Sequence, residues 1–174
     1  MSDIKTPNFK SNFPHALDDK GRLTLPSPLR EEIIRNSEFP ERLYLSYFPG
    51  NRYLSIYTHE VWKDQSAAWN DESRFPNTAI RVAAQRLFFS NVEPVTQDKA
   101  GRILIPANYR ERVGLAPSQK VLVNGVGKRI EVWAPEEFVA NELKDLELWQ
   151  SAQAMDTSRL EQVSPLDLAR LPEC

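Results

Sequence analysis

The sequence predicts a mixed α+β fold built from two tandem copies of one small unit. The stretch Leu17–Ile33, LDDKGRLTLPSPLREEI, is written again as Thr96–Val113, TQDKAGRILIPANYRERV. Each copy combines a turn, a short strand and a short helix, and each is followed by two further strand patterns. Matching residues lie 80 positions apart without a shift: Asp18 and Asp98, Gly21 and Gly101, Arg22 and Arg102, Pro26 and Pro106, Arg30 and Arg110.

The composition suits a packed core. Of the 174 residues, 41% are apolar and 10% are aromatic, which fits one domain or two small ones. No apolar run approaches the roughly 20 residues that span a bilayer, and the first residues lack a signal-peptide pattern. We therefore expect a cytoplasmic protein with no membrane partner. Cys174, His15 and His59 form no cluster of metal ligands, so we expect no cofactor and no structural zinc.

Charge is divided unevenly along the chain. Residues 1–133 carry 19 Lys and Arg against 15 Asp and Glu, a net charge of +4. Residues 134–174 carry 3 against 9, a net charge of −6. A basic body suits a polyanionic partner, whereas the acidic end either limits nonspecific binding or is a solvated helix without a role in binding.

The first copy opens with an extended segment, Asn8–Ala16, in which Pro14 argues against a helix. Asp18–Gly21 has the composition of a hairpin turn, because glycine tolerates positive φ and aspartate bonds to its own backbone. Arg22–Leu25 alternates as a short strand, with its two leucines on one face, and Pro26 ends it.

A short helix and a β-hairpin follow in each copy. In the first copy the helix is Leu29–Arg35, with Ser27 as N-cap and Pro28 at its first position, and it should bury Leu29, Ile33 and Ile34. The hairpins join Arg42–Tyr47 to Arg52–Tyr57 through Phe48–Asn51, and Lys120–Asn124 to Arg129–Trp133 through Gly125–Gly127.

Longer helices lie between and after the copies. Thr58–Asn70 and Asn77–Ser90 are predicted between them, and the second should bury a face formed by Ile80, Ala83, Ala84, Leu87 and Phe88. The third runs from Ala134 to about Met155, with Phe138, Val139, Leu143, Leu146 and Trp149 available to pack. Leu166–Leu171 is either a further turn of helix or part of a tail.

The motifs LDDKGRLTLP and QDKAGRILIP, each followed by a helix with an Arg-Glu pair, resemble the two Asp-x-x-x-Arg repeats of the MraZ family of SpoVT/AbrB-like proteins. The resemblance covers roughly residues 9–149. It implies two tandem swapped-hairpin (AbrB-like) half-barrels that form a pseudo-twofold β-barrel with flanking helices. The implied divisions are a first repeat at 9–62, a helical linker packed on the barrel at 63–91, a second repeat at 92–138, and a C-terminal helix and acidic tail at 139–174.

The same resemblance implies a transcriptional regulator of the division and cell-wall gene cluster, located in the cytoplasm and nucleoid. Proteins of this family are thought to bind short G-rich direct repeats in their own promoter and to assemble as rings. The implied partners are therefore double-stranded DNA and further copies of the chain, in a homo-oligomer.

Carried over by position, the implied DNA-binding residues are Lys20 and Arg22 in the first copy and Lys99 and Arg102 in the second, with Asp18, Gly21, Asp98 and Gly101 supporting the motif. Arginine can donate two parallel hydrogen bonds to guanine in the major groove, and lysine suits phosphate or guanine. The chain departs from the family pattern at two places. Ser11 stands where a glycine is usual, and Ala100 places Lys99 one residue further from Arg102 than Lys20 is from Arg22.

Other roles compete with DNA contact. Arg22 and Arg102 have as an alternative an ion pair with the nearby aspartates, and we expect Arg30 and Arg110 to form salt bridges within the helix or between subunits. No GxSxG elbow, P-loop or HExxH pair occurs, so we expect no enzyme. The alternative function is an AbrB-like, antitoxin-type module whose main task is to bind a partner protein.

Overall fold

The computed structural model describes residues 6–154, in which eight strands and five α-helices confirm the predicted α+β class. The strands are β1 Asn12–Ala16, β2 Arg22–Thr24, β3 Arg42–Ser46, β4 Tyr53–Thr58, β5 Val92–Thr96, β6 Arg102–Leu104, β7 Lys120–Val126 and β8 Arg129–Trp133. The helices are α1 Ser27–Asn36, α2 His59–Asn70, α3 Thr78–Phe89, α4 Ala107–Arg112 and α5 Pro135–Ala154, with a 3₁₀ turn at Glu72–Arg74.

Strand pairing crosses between the two sequence copies. Six strands form one antiparallel sheet in the order β1-β7-β8-β4-β3-β5, and β2 and β6 form a separate antiparallel pair, called the ribbon below. Four pairs join the first copy to the second: β1 with β7, β3 with β5, β4 with β8, and β2 with β6. Both sheets lie within residues 6–135, which form one compact unit, and residues 136–154 of α5 belong to a second unit.

The ribbon rests on the core by one face. Leu23, Leu25, Ile103 and Ile105, which occupy matching positions in the two copies, are at most 1% exposed. Burying an apolar side chain of this size contributes about 1.5–3 kcal/mol to folding, so these four residues hold the ribbon firmly. The rest of the core includes Leu29, Ile33, Leu43, Leu45, Leu54, Ile56, Val121, Val123, Ile130 and Val132.

Helix α1 begins earlier than the sequence predicts. Its N-cap is Pro26 rather than Ser27, and no side chain caps it. The carbonyl of Pro26 accepts hydrogen bonds from the backbone N–H groups of Leu29 and Arg30, at 3.0 and 3.1 Å, and these bonds start the helix. Leu29 and Ile33 are buried as predicted, whereas Ile34 is exposed because successive helical residues lie about 100° apart, which turns Ile34 off the buried face.

The predicted turn at Gly125–Gly127 is shorter in the structure, because β7 continues to Val126. Gly125 lies against the N-terminal segment, and a Cβ atom there would be 2.6 Å from the carbonyl oxygen of Lys10. The N–H of Gly125 donates to the carbonyl of Ser11 at 2.8 Å. This glycine therefore serves close backbone approach rather than chain reversal.

Helix α3 buries only part of the predicted face. Ile80 and Leu87, two members of the predicted apolar stripe, are exposed, whereas Phe88 is buried. The ring of Phe88 stacks on Trp62 and Trp69 of α2, with centroids 5.2 and 4.6 Å apart. Stacking of these large rings sets the rotation of α3 and turns part of the stripe to the surface.

The apolar residues predicted to pack on α5 are mostly exposed. Val139, Leu143, Leu146 and Trp149, which the sequence makes available to pack, are each more than half exposed. Helical spacing shows which residues share a face, and does not show whether another surface covers it. Met155 and Leu166–Leu171 lie outside the described residues.

Candidate functional site

Asp18 closes the turn of the first copy. Its Oδ1 atom accepts hydrogen bonds from the backbone N–H groups of Lys20 and Arg22, at 2.9 and 2.8 Å. Its Oδ2 atom accepts a third from Nε of Arg22 at 2.6 Å, which completes an ion pair. The N–H of Gly21 also donates to the carbonyl of Asp18, at 3.0 Å. One carboxylate thus holds both the backbone of the turn and the Arg22 side chain.

The second copy repeats this arrangement. Oδ1 of Asp98 accepts hydrogen bonds from the backbone N–H groups of Ala100 and Arg102, both at 2.9 Å. Oδ2 accepts one from Nε of Arg102 at 2.7 Å. The ion pairs that the sequence allows as an alternative role for the two motif arginines are therefore present in both copies.

The same hydrogen bonds determine the charge of the two aspartates. The backbone N–H of Arg22, followed by the Arg22 side chain and the backbone of Lys20, holds the pKa of Asp18 below its ordinary value. The corresponding groups of Arg102 and Ala100 lower the pKa of Asp98. Both carboxylates are charged at neutral pH, and each offsets the positive charge of the arginine that it holds.

The two motif arginines share the exposed face of the ribbon. β2 and β6 run antiparallel, with Arg22 opposite Leu104 and Thr24 opposite Arg102. The residues between them point into the core, because successive side chains of a strand alternate between its faces. The structure therefore brings together two arginines that lie 80 positions apart in the sequence.

The two candidate lysines do not meet. Lys20 and Lys99 are both exposed, and they lie in turns at opposite ends of the ribbon because its strands are antiparallel. They also occupy different places within their turns, since Lys20 matches Ala100 and Lys99 matches Asp19. The two ends of the ribbon therefore present different charges.

Each turn is covered by an arginine from the helix of the other copy. Gly21 and Gly101 have φ angles of 75° and 79°, which only glycine adopts readily. A Cβ atom at Gly21 would lie 2.7 Å from Nε of Arg110, and one at Gly101 would lie 2.7 Å from Nη1 of Arg30. The backbone conformation therefore favours glycine at these positions, and any Cβ atom there would also displace the arginine side chain that packs on the turn.

Arg30 and Arg110 are the functional candidates that the sequence does not place at the site. The sequence predicts that each forms a salt bridge within its helix or between subunits. In the structure each packs on the turn of the other copy, Arg30 on Gly101 and Arg110 on Gly21. Nε of Arg110 donates to the carbonyl of Ile105 at 3.0 Å, and Nε of Arg30 is buried without a hydrogen-bond partner among the described residues. The sequence does mark these two arginines, because Arg30 and Arg110 are repeated 80 positions apart, as the turn residues are.

The paired arginines lie on an open surface. Neither Arg22 nor Arg102 lines either of two cavities of about 210 Å³ each. One cavity lies beside Phe9 and Leu29, and the other lies beside Val95 and Pro106 and is also lined by Leu104, the residue opposite Arg22. Between residues 6 and 154, no three His, Cys, Asp or Glu side chains are grouped as metal ligands. No helix in that span is both long enough and apolar enough to cross a membrane.

Comparison with known proteins gives consistent matches. Residues 88–159 match the family model described as "MraZ protein, putative antitoxin-like". A protein of Dictyoglomus thermophilum named transcriptional regulator MraZ is 36% identical over 130 residues, which cover 75% of this chain and 82% of that protein. Proteins of the same name from Coxiella burnetii and Heliobacterium modesticaldum are each 34% identical, over 78% and 75% of this chain and 90% and 83% of their own length. The chain therefore belongs to the MraZ family.

Proposed function

We propose that the chain is a transcriptional regulator that binds double-stranded DNA sequence-specifically through the outer face of the ribbon. The observation that carries this proposal is that Arg22 and Arg102 share that face, each anchored through Nε by an aspartate. A two-stranded β-ribbon is an element that the major groove admits. The names of the relatives, which are transcriptional regulators, support the same class of function.

The anchored arginines are suited to reading guanine. Their ion pairs engage Nε, and the side chains of Arg22 and Arg102 remain 32% and 39% exposed. The terminal nitrogens Nη1 and Nη2 are therefore the donors presented to the guanine O6 and N7 acceptors. Because Asp18 and Asp98 hold the side chains in place before DNA arrives, less conformational entropy is lost on binding.

Four other cations supply charge around this face. Lys20, Lys99, Arg30 and Arg110 have no acidic partner among the described residues, whereas the charges of the two motif arginines are offset. We assign these four side chains to the phosphate backbone, which carries most of the nonspecific attraction. Affinity should therefore fall steeply as the salt concentration rises.

The narrower parts of the proposal concern target and assembly. We infer that the regulated target is the division and cell-wall gene cluster, that the sites are short G-rich direct repeats in the chain's own promoter, and that the protein works in the cytoplasm and nucleoid. A homo-oligomeric ring would bring several ribbons to several repeats, and such multivalency raises affinity by about 10²–10⁴. We further propose that the cross-copy strand pairs form swapped-hairpin half-barrels, divided at 9–62, 63–91, 92–138 and 139–174.

Fluorescence anisotropy tests the proposal. A labelled duplex from the region upstream of the chain's own gene is titrated beside a random duplex of equal length, over a series of salt concentrations. We expect preference for the upstream duplex at every salt concentration. Equal binding to both duplexes would refute sequence-specific regulation through this face.

Substitution of Arg22 identifies the reading residue. Arg22→Lys keeps the charge but removes the two parallel hydrogen bonds, so preference for the upstream duplex should fall about tenfold or more while binding to random duplex persists. Arg35→Lys is the matched control, because that side chain is 68% exposed on α1, away from the ribbon strands. Unchanged preference in Arg22→Lys would remove Arg22 from the site.

A second candidate function is an antitoxin-type module that binds a partner protein. The description of the matching family model favours it, and so does the exposed apolar row Val139, Leu143, Leu146 and Trp149 on α5. The test is co-expression with the products of neighbouring genes. The module is supported if the product of one neighbouring gene arrests cell growth and this chain, but not its Leu143→Ser/Trp149→Ser variant, relieves the arrest. If no neighbouring gene product arrests growth in this way, the module is rejected.

A further inference from the structure

The outer face of the ribbon is not symmetric, although matching segments of the two copies build it. Thr24 of the first copy corresponds in position to Leu104 of the second. In the ribbon Leu104 lies directly opposite Arg22, and Thr24 lies directly opposite Arg102. Each arginine therefore has a cross-strand neighbour of different chemistry, one purely apolar and one with a hydroxyl group.

Backbone hydrogen bonds show that these neighbours are close. The N–H groups just beyond each strand donate across the ribbon, Leu25 to Gly101 at 2.9 Å and Ile105 to Gly21 at 3.2 Å. Hydrogen-bonded and non-hydrogen-bonded pairs alternate along an antiparallel ladder, so Arg22–Leu104 and Thr24–Arg102 are non-hydrogen-bonded pairs. The side chains of such pairs approach closely, with Cβ atoms roughly 4.5–5.5 Å apart.

Leu104 presents apolar surface at this charged face. It is 53% exposed, whereas Ile103 and Ile105 on either side of it are fully buried. A single exposed leucine is ordinary in proteins, and its place opposite Arg22 is what distinguishes this one. A base bound next to the one that Arg22 contacts would therefore meet the apolar surface of Leu104.

We propose that Leu104 is a specificity-determining residue that packs against the C5-methyl group of a thymine next to the base contacted by Arg22. This inference rests on the proposed function. Thymine alone presents a methyl group in the major groove, and apolar side chains recognise it by contact. Thr24, beside Arg102, carries a hydroxyl that suits either donors or acceptors and only one methyl group, so it offers less apolar surface than Leu104.

Replacement of thymine by deoxyuridine tests this assignment, because the two differ only by the methyl group. A duplex is first enriched from a randomised pool by repeated selection on the intact protein, and each thymine is then replaced in turn. At one position or more, uracil should weaken binding about fourfold, the effect expected for one buried methyl group. In Leu104→Ala, thymine and uracil at that position should bind equally.

Two further variants sharpen the test. Ile34→Ala truncates another exposed apolar side chain, on α1, and should keep the full difference between thymine and uracil. Thr24→Leu places a leucine opposite Arg102 and should create a new uracil-sensitive position. Circular dichroism and light scattering on every variant establish that fold and mass are unchanged.

The outcomes separate the two levels of the proposal. A selection that enriches no sequence would overturn the proposed function itself. An enriched duplex with the same uracil sensitivity in the wild type and in Leu104→Ala would overturn the role of Leu104 and leave the regulator standing. A changed mass of Leu104→Ala in light scattering would assign Leu104 to a contact between copies, and would equally overturn its role in reading thymine.

Discussion

Ser11, which stands where the family resemblance predicts a glycine, has a strained backbone. Its φ is 73°, in the left-handed region that costs an L-residue about 1–2 kcal/mol. The hydrogen bond from Gly125 to the Ser11 carbonyl holds this conformation in place. The departure from the family pattern that is visible in the sequence therefore has a physical cost in the structure.

Ser11→Gly should raise the free energy of unfolding by about 0.5–1 kcal/mol, since relief of strain outweighs the greater freedom of glycine in the unfolded chain. Urea denaturation at fixed protein concentration measures the change. Ser27→Gly is the control, because Ser27 is the exposed first residue of α1 and has no positive φ for glycine to relieve, so this change should not stabilise. A loss of stability in Ser11→Gly would show that the serine hydroxyl matters more than the strain.

Asp18 and Asp98, the turn aspartates, should make the free energy of unfolding depend on pH in the acidic range. Both folded pKa values are depressed, so the contribution of Asp18 and Asp98 is present above the unfolded value of about 3.9 and is lost as pH falls through the folded values. Asp18→Asn/Asp98→Asn should therefore be less stable than the wild type at neutral pH and show a shallower decline in acid. Parallel urea midpoints of the two proteins from neutral pH down to about pH 2 would contradict this linkage.

At the scale of the elements, each turn depends on a helix of the other copy. Arg30 packs on Gly101 and Arg110 on Gly21, so the position of each turn is set partly from across the ribbon. Gly114 offers a matched comparison, because its φ of 70° is similar but a Cβ atom there would meet nothing within 4 Å. The stability lost on alanine substitution at Gly101, compared with that lost at Gly114, therefore separates the effect of the arginine contact from the effect of backbone strain.

Gly114→Ala should cost about 1–2 kcal/mol through backbone strain alone. Gly101→Ala should cost about 1–3 kcal/mol more, because the new methyl group displaces the Arg30 side chain. Adding Arg30→Ala to Gly101→Ala should recover most of that excess in a double-mutant cycle measured by chemical denaturation. Equal costs for Gly101→Ala and Gly114→Ala would show that Arg30 moves aside freely.

The local elements follow from the sequence, and the contacts between them do not. The turn at Asp18–Gly21, the short strand after it and the hairpin strands are visible because glycine, proline and alternation act over a few residues. The rotation of α3 depends on rings of α2, and the contact of Arg30 with Gly101 joins residues 71 positions apart (101 minus 30). The repeated motif predicts both turns and the arginine that follows each. Only the fold shows that Arg22 and Arg102 lie on the same face of the ribbon.

At the scale of the whole molecule, the exposed apolar side chains of residues 6–154 include those on faces of two helices. One is the row of α5 described above, and the other includes Ile80 and Leu87 of α3. Contiguous apolar surface of this kind commonly marks an interface. We therefore expect the protein to associate with itself.

Light scattering should give a mass of more than two copies, because the proposed ring needs several ribbons to bind tandem repeats. Ile80→Ser/Leu87→Ser should lower that mass and weaken binding to a duplex with several sites more than to a duplex with one. Ile34→Ser, which changes an exposed apolar residue of α1, is the control. A monomeric wild type would contradict the proposed assembly.

The interleaved strand order also governs how the chain folds during its synthesis. β1 pairs with β7 from Asn12 opposite Asn124, so its partner leaves the ribosome 112 residues later (124 minus 12). Contacts so distant in sequence raise the contact order, which slows folding because a long loop must close first. Until the second copy emerges, β1 and β2 of the nascent chain have unpaired edges, a state in which strands are prone to aggregate. The duplication that builds the outer face of the ribbon thus delays its formation until β6, which ends at Leu104, has been translated.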